Sequence, residues 1–169
     1  TMEDLKKTLR KAVIANEIFP VMTGSSLKNI GVQLVLDAVV DYLPAPTDLP
    51  AVHGINPKDE SEITREPSDE EPFCGLVFKL QDDKFVGQLA FFRVYSGSVK
   101  SGTYILNAST GNKERVGRIV RLMADKREEV EEVYAGEIAA AVGIKEVKTS
   151  HTLCAENNPI VLEQIFTFW

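Results

Sequence analysis

Apolar side chains recur at every second position through much of the C-terminal two-thirds of the chain. Cys74, Leu76, Phe78 and Leu80 keep this period against positions that include Lys79 and Gln81, and Ile138, Ala140, Val142 and Ile144 repeat it. A period of two puts successive side chains on opposite faces of an extended strand. The longest such run, Phe85-Val-Gly-Gln-Leu-Ala-Phe-Phe-Arg-Val-Tyr-Ser-Gly97, is apolar on both faces: Leu89, Phe91 and Tyr95 fall on one, Ala90, Phe92 and Val94 on the other. Its aromatic and β-branched content favours a strand, and two apolar faces predict one covered from both sides. Arg93 is the cation held in its middle. Further strands are predicted at 103–107, 116–122, 152–154 and 160–165, separated by turns at 82–84, 96–102 and 110–112 and a charged loop at 126–132. Six or seven strands at roughly ten-residue spacing predict a mainly β fold, a closed antiparallel barrel over residues 72–165.

The first 45 residues follow a helical period instead. Leu5, Leu9, Ala12 and Val13 share one stripe of a helix predicted over residues 4–16, with Lys6, Lys7, Arg10 and Lys11 mostly off it. Residues 18–22 predict a short strand, at an edge or irregular because of Pro20. A polar turn follows at 23–29. A second helix is predicted from Gly31 to Leu43, with Val32, Leu36, Val39, Val40 and Leu43 inward, and Pro44 and Pro46 end it. Helix, strand, turn and helix make one unit of an α/β sheet, yet one strand makes no sheet. Residues 1–45 are therefore expected to be the end of a larger α/β domain or a helical cap on the barrel. Residues 46–71 hold Pro46, Pro50, Pro57 and Pro67 and two acidic runs, and are predicted as linker and loop.

Composition narrows the chemistry. Apolar residues make up 44% and charged residues 26% of 169, ordinary for a soluble globular protein. No run is long enough to cross a bilayer, and Cys74 and Cys154 form no metal spacing, so a reducing, cytoplasmic setting with two buried free thiols is expected. A net charge of −6 argues against a generally cationic surface but leaves room for a local basic patch. Candidate phosphate contacts on the barrel are Lys84, Arg93, Lys100, Lys113, Arg115, Arg118 and Arg121. Arg93 has a second reading, a buried pair with a carboxylate. There is no G-x-x-x-x-G-K-[ST] and no G-x-G-x-x-G, His53 and His151 stand alone, and Ser25 and Ser26 lack a nucleophile-elbow frame. No catalytic residue and no metal ligand is assigned.

Four stretches carry a more specific signal. The Phe85–Gly97 word resembles the second-domain signature of translation elongation factor G, as does Arg118-Ile-Val-Arg-Leu-Met-Ala-Asp-Lys-Arg-Glu-Glu129 running on into Val133-Tyr-Ala-Gly-Glu-Ile-Ala-Ala-Ala-Val-Gly143. Upstream, Phe19 to Gln33 and Leu36-Asp-Ala-Val-Val-Asp-Tyr-Leu-Pro-Ala-Pro46 resemble the last strand, loop and helix of that family's GTPase domain. The resemblance runs in family order along nearly the whole chain. It implies a fragment of a ribosome-dependent GTPase that drives tRNA and mRNA translocation: 1–45 the end of the nucleotide domain, 46–71 a linker, 72–165 a translation-factor-type barrel. Residues 166–169 do not continue the pattern and read as a tail, either vector-derived or the cut edge of the fragment.

Gly24 to Lys28 match the family's fifth guanine-nucleotide motif, which implies that Ser25, Ser26 and Leu27 face the base in the intact protein. GTP or GDP with magnesium is implied for that protein and none for this fragment, which is expected to be inactive. The implied partners are small-subunit ribosomal RNA and the rest of its own chain, with a dimer of the fragment as a further expectation and no membrane. Alternatives are a ribosome-protection or release-factor-type GTPase, or a stand-alone RNA- or protein-binding barrel. The family usually has Pro at Lys84, His at Met123, Asn at Asp125 and Gly-Asp at Ser150-His151.

Overall fold

In the computed structural model, which describes residues 1–83, 86–123 and 126–165, the chain separates into two units, Thr1–Leu49 and Pro50–Trp169. The second unit holds the strands β1 (Val52–Ile55), β2 (Glu62–Arg65), β3 (Cys74–Asp83), β4 (Gly87–Ser96), β5 (Ser98–Lys100), β6 (Tyr104–Asn107) and β7 (Asn112–Arg115). It continues with β8 (Arg118–Met123), β9 (Lys126–Val130), β10 (Glu132–Tyr134), β11 (Ile138–Val142), β12 (Thr152–Cys154) and β13 (Val161–Leu162). Among the described residues the main sheet runs β7-β6-β12-β3-β4-β11-β8-β9, β5 pairs with β10, and β13-β1-β2 form a separate layer. The paired strands are antiparallel throughout.

The strand β4 sits at the centre of this sheet and is covered on both faces, as its sequence predicts. Ala90, Phe92 and Val94 join the interior cluster with Phe73, Val77, Ile119, Val133 and Leu153. Leu89 and Phe91 pack outward against Ala140 and Val142. Large side chains meet small ones across the ladder: Phe92 lies opposite Ala139, and Phe91 opposite Ala140. Phe73 meets Phe92 edge-on, with ring centroids 6.4 Å apart. Register shifts against β3 leave Phe78 and Tyr95 as extra residues, and such bulges bend and twist the strands that carry them. Gly97 turns the chain at φ 66°, and a Cβ there would collide with the Glu71 carbonyl and the Phe73 backbone.

Three regions differ from expectation. The 46–71 stretch is more than linker, because β1 and β2 pair with each other and β1 with β13. Its prolines lie outside both strands, which leaves the ladder N–H groups intact. The 126–132 stretch is likewise β9 and the start of β10; β9 is polar except for Val130, which packs on the interior cluster, and it pairs along its length with β8. Residues 18–22 form no strand: Pro20 removes a donor, and among the described residues no strand pairs with them.

In the first unit, α1 (Met2–Ile14) is capped by Thr1, whose hydroxyl accepts the Asp4 N–H at 3.3 Å. The helix α2 (Val32–Tyr42) runs beside it. Arg10 donates to the carbonyls of Val40, Asp41 and Leu43 at 3.2, 3.1 and 3.0 Å, satisfying the open C-terminal end of α2 with a cation, as the helix dipole favours. Lys6 and Asp41 add an ion pair at 2.6 Å. No helix of the described residues is long and apolar enough to cross a membrane.

Candidate nucleic-acid interface

The pairing of β6 with β7 gathers part of the basic set on one face. Tyr104 lies directly opposite Arg115, and Leu106 opposite Lys113. Positions two apart share a face, so Tyr104, Lys113 and Arg115 project together. Tyr104 is 61% exposed, and the Lys113 ammonium lies 5.5 Å from its ring centroid. The Arg115 Nε–H donates to the Gly102 carbonyl at 3.4 Å. The opposite face of the hairpin is turned inward: Ile105 is buried, and buried Glu114 accepts the Lys145 N–H. An exposed aromatic ring flanked by two cations is the combination that stacks a base and neutralises its phosphates.

The other candidate cations are placed separately. Lys100 lies 3.6 Å from Glu132, and Arg121 2.6 Å from Glu137. Arg118 stands 3.9 Å from Glu129. Lys113 itself reaches Glu156 at 2.6 Å. Exposed pairs of this kind contribute roughly 0–1 kcal/mol, so they do not lock a side chain away from a phosphate. Arg93 makes no carboxylate pair among the described residues: its guanidinium lies 5.2 Å from the Tyr95 ring centroid, and its Nε is buried with no acceptor there. Lys84 lies outside the described residues, as do Asp125 and 166–169. Tyr104 was absent from the sequence-based set, although its place opposite the inward Ile105 in an alternating strand was a usable signal.

Ser25, Ser26 and Leu27 form one tight loop in the first unit. Ser25 and Ile30 exchange both backbone hydrogen bonds at 2.9 Å, and the Asn29 N–H donates to the Ser26 carbonyl. Gly24 is required there, since a Cβ would lie 2.7 Å from the Ile30 carbonyl oxygen. The Ser26 and Leu27 N–H groups meet no acceptor among the described residues, and the Leu27 side chain is exposed.

At one end of the barrel a buried Asn107 organises the 143–151 loop. Its amide donates to the Glu146 carbonyl at 2.9 Å and lies 3.0 Å from His151 Nδ1. The Lys148 N–H also donates to that nitrogen at 3.2 Å, so Nδ1 serves as an acceptor and carries no proton. Burial, then the neighbouring Lys148, holds the His151 pKa below its ordinary value of 6.5. Ser150 takes the left-handed turn at φ 72°, and its hydroxyl both donates to the Ile165 carbonyl and accepts the Ile165 N–H at 3.0 Å.

Two comparisons bear on this arrangement. A family model described as elongation factor G domain 2 matches residues 72–156. Among solved structures, a crystal structure from Thermus thermophilus is similar to the chain with a TM-score of 0.65 and 26% identity, over 94% of this chain. The chain spans only 21% of the length of that one.

Proposed function

We infer the function from one premise: this chain belongs to the elongation factor G domain 2 family. We propose that the barrel is the second domain of a ribosome-dependent translational GTPase that moves tRNA and mRNA during protein synthesis in the cytoplasm. Residues 1–45 are the end of its nucleotide domain. The family match over 72–156 carries this reading, and the exposed apolar face of α2 supports the existence of further chain to cover it. Leu36 and Val40 on that helix are 61% and 78% exposed.

On this reading the chain divides its labour. The free Ser26 and Leu27 N–H groups fit the acceptor edge of a guanine base, so this loop would hold one edge of GTP or GDP in the intact protein. Phosphate and magnesium chemistry belongs to sequence beyond these residues, because phosphoryl transfer needs a phosphate-cradling loop that the 169 residues do not encode. The residues present therefore orient a base and transfer nothing. The barrel contributes RNA contact through Tyr104, Lys113 and Arg115, with small-subunit ribosomal RNA as the partner.

A filter-binding series with small-subunit ribosomal RNA at rising salt tests the RNA role. Affinity is expected to fall steeply with salt. Replacing Arg115 with Gln is expected to flatten the log–log slope by about one. A salt-independent signal, or a slope untouched by Arg115→Gln and Lys113→Gln together, would remove this face from the reading. Calorimetry with GTP is expected to show no binding above background, and micromolar binding would overturn the division of labour.

A further inference from the structure

Cys74 on β3 and Cys154 on β12 lie directly opposite each other in the ladder. The adjacent pair, Phe73 and Ala155, is bridged by the Ala155 N–H to the Phe73 carbonyl at 2.9 Å, and Val77 donates to the His151 carbonyl at 3.0 Å. Bridged and open pairs alternate along an antiparallel ladder, so the two cysteines form an open pair. Open pairs hold their Cα atoms about 4.5 Å apart, inside the ~4.4–6.8 Å span that a disulfide bridges.

Both thiols are free and fully buried. They share a cluster with Leu76, Ile160 and Leu162, and Val52 of β1 and Ile63 of β2 pack against it. The β13-β1-β2 layer thus covers the pair from one side. Burial pushes the Cys74 thiol up to about 12 and raises that of Cys154, while the Arg65 charge on β2 opposes burial at both. Thiolate is the reactive form, so the covered pair is inert and its reactivity waits on opening of the layer.

We propose that Cys74 and Cys154 are an oxidant-sensitive dithiol that closes to a cross-strand disulfide when the β13-β1-β2 layer opens to a peroxide. One sulfur, as thiolate, attacks a peroxide oxygen; the O–O bond breaks, giving a sulfenic acid and hydroxide. The second thiolate attacks the sulfenic sulfur and displaces its hydroxide. Two electrons pass from the sulfurs to hydrogen peroxide, and the two thiol protons leave in two waters. Nothing in this step depends on the RNA or GTPase reading.

The test is intact-mass measurement of the whole chain after hydrogen peroxide or diamide, with unfolding in excess maleimide. The expected product is a monomer lighter by two hydrogens that takes up no maleimide and regains two reactive thiols on reduction. Cys74→Ser and Cys154→Ser each remove the closed product and keep one thiol. Ile63→Ala, which thins the covering layer, is expected to speed closure several-fold. Two free thiols after both oxidants, sulfinic acid in place of the disulfide, or bridges only between chains would overturn the proposal. An unchanged rate in Ile63→Ala would overturn the role of the layer.

Discussion

The two units bury their apolar residues to very different extents. In the first, α1 buries no residue and α2 buries only Ala38, although both carry an apolar stripe. In the second, β4 alone buries Leu89, Ala90, Phe92 and Val94, and three clusters fill the space around it. The difference follows from architecture. A sheet that wraps on itself supplies partners for its own inward faces, whereas a helical stripe needs a second layer to cover it. The barrel unit therefore covers its own apolar faces, whereas α1 and α2 leave most of theirs exposed.

A pair of truncations, one in each unit, should separate the two most widely. Phe92→Ala removes a fully buried ring that meets Phe73 edge-on and is expected to cost about 3–5 kcal/mol, read from urea unfolding of the barrel. Leu36→Ala, on an exposed position, is expected to stay within about 0.5 kcal/mol. Equal losses would mean that the α2 stripe is part of a working core.

A second prediction asks which exposed surface binds. Tyr104→Ala is expected to weaken RNA binding by about 1–3 kcal/mol, the range for loss of a base-stacking ring. It should leave unfolding unchanged, because the ring is mostly in solvent. The apolar face of the first unit should contribute nothing to that affinity. There the expectation is self-association: light scattering should show a dimer whose population falls when Leu36 and Val40 are both replaced by Lys, with stability moved by less than about 0.5 kcal/mol. A wild-type chain that stays monomeric at high concentration would dispose of the dimer.

Sequence patterns revealed these features unevenly, for physical reasons. The strand β4 was legible because both of its faces are apolar; α2 was legible as a helix that Pro44 ends, but Leu36, Val39, Val40 and Leu43, expected inward, are exposed. The strands β1, β2 and β9 were hidden because backbone pairing with a partner holds them, and no hydrophobic period announces it. Pairing also decides which cations share a face with an exposed ring: Lys113 and Arg115 stand beside Tyr104 only through the β6–β7 register, while Arg118 and Arg121 looked equivalent in sequence and stand apart from that face. Arg93 shows the limit most plainly. A lone cation in an apolar strand implied a partner carboxylate, and within the protein it is Tyr95, one face position further along, that receives it.

The smallest expected effect concerns the barrel end where Asn107, His151 and the Lys148 amide meet. His151 Nδ1 accepts there, so a proton on it would face two donors. The groups around it are the Lys148 backbone and charge, the Asn107 amide and the Glu146 carbonyl; the Glu146 carboxylate is turned to Asn112 at 2.8 Å. Because the folded pKa lies below the ordinary 6.5, the unfolded chain binds more protons between the two values, and stability rises with pH across that window. Above about 6.5 the histidine is neutral in both states and its contribution is complete and constant. Urea midpoints of the barrel should therefore fall as pH drops from neutrality toward about 5. The part due to His151 should vanish in His151→Asn, whose side-chain oxygen still accepts but does not titrate. An identical pH slope in that variant would show that the barrel's acid response comes from its carboxylates and not from this loop.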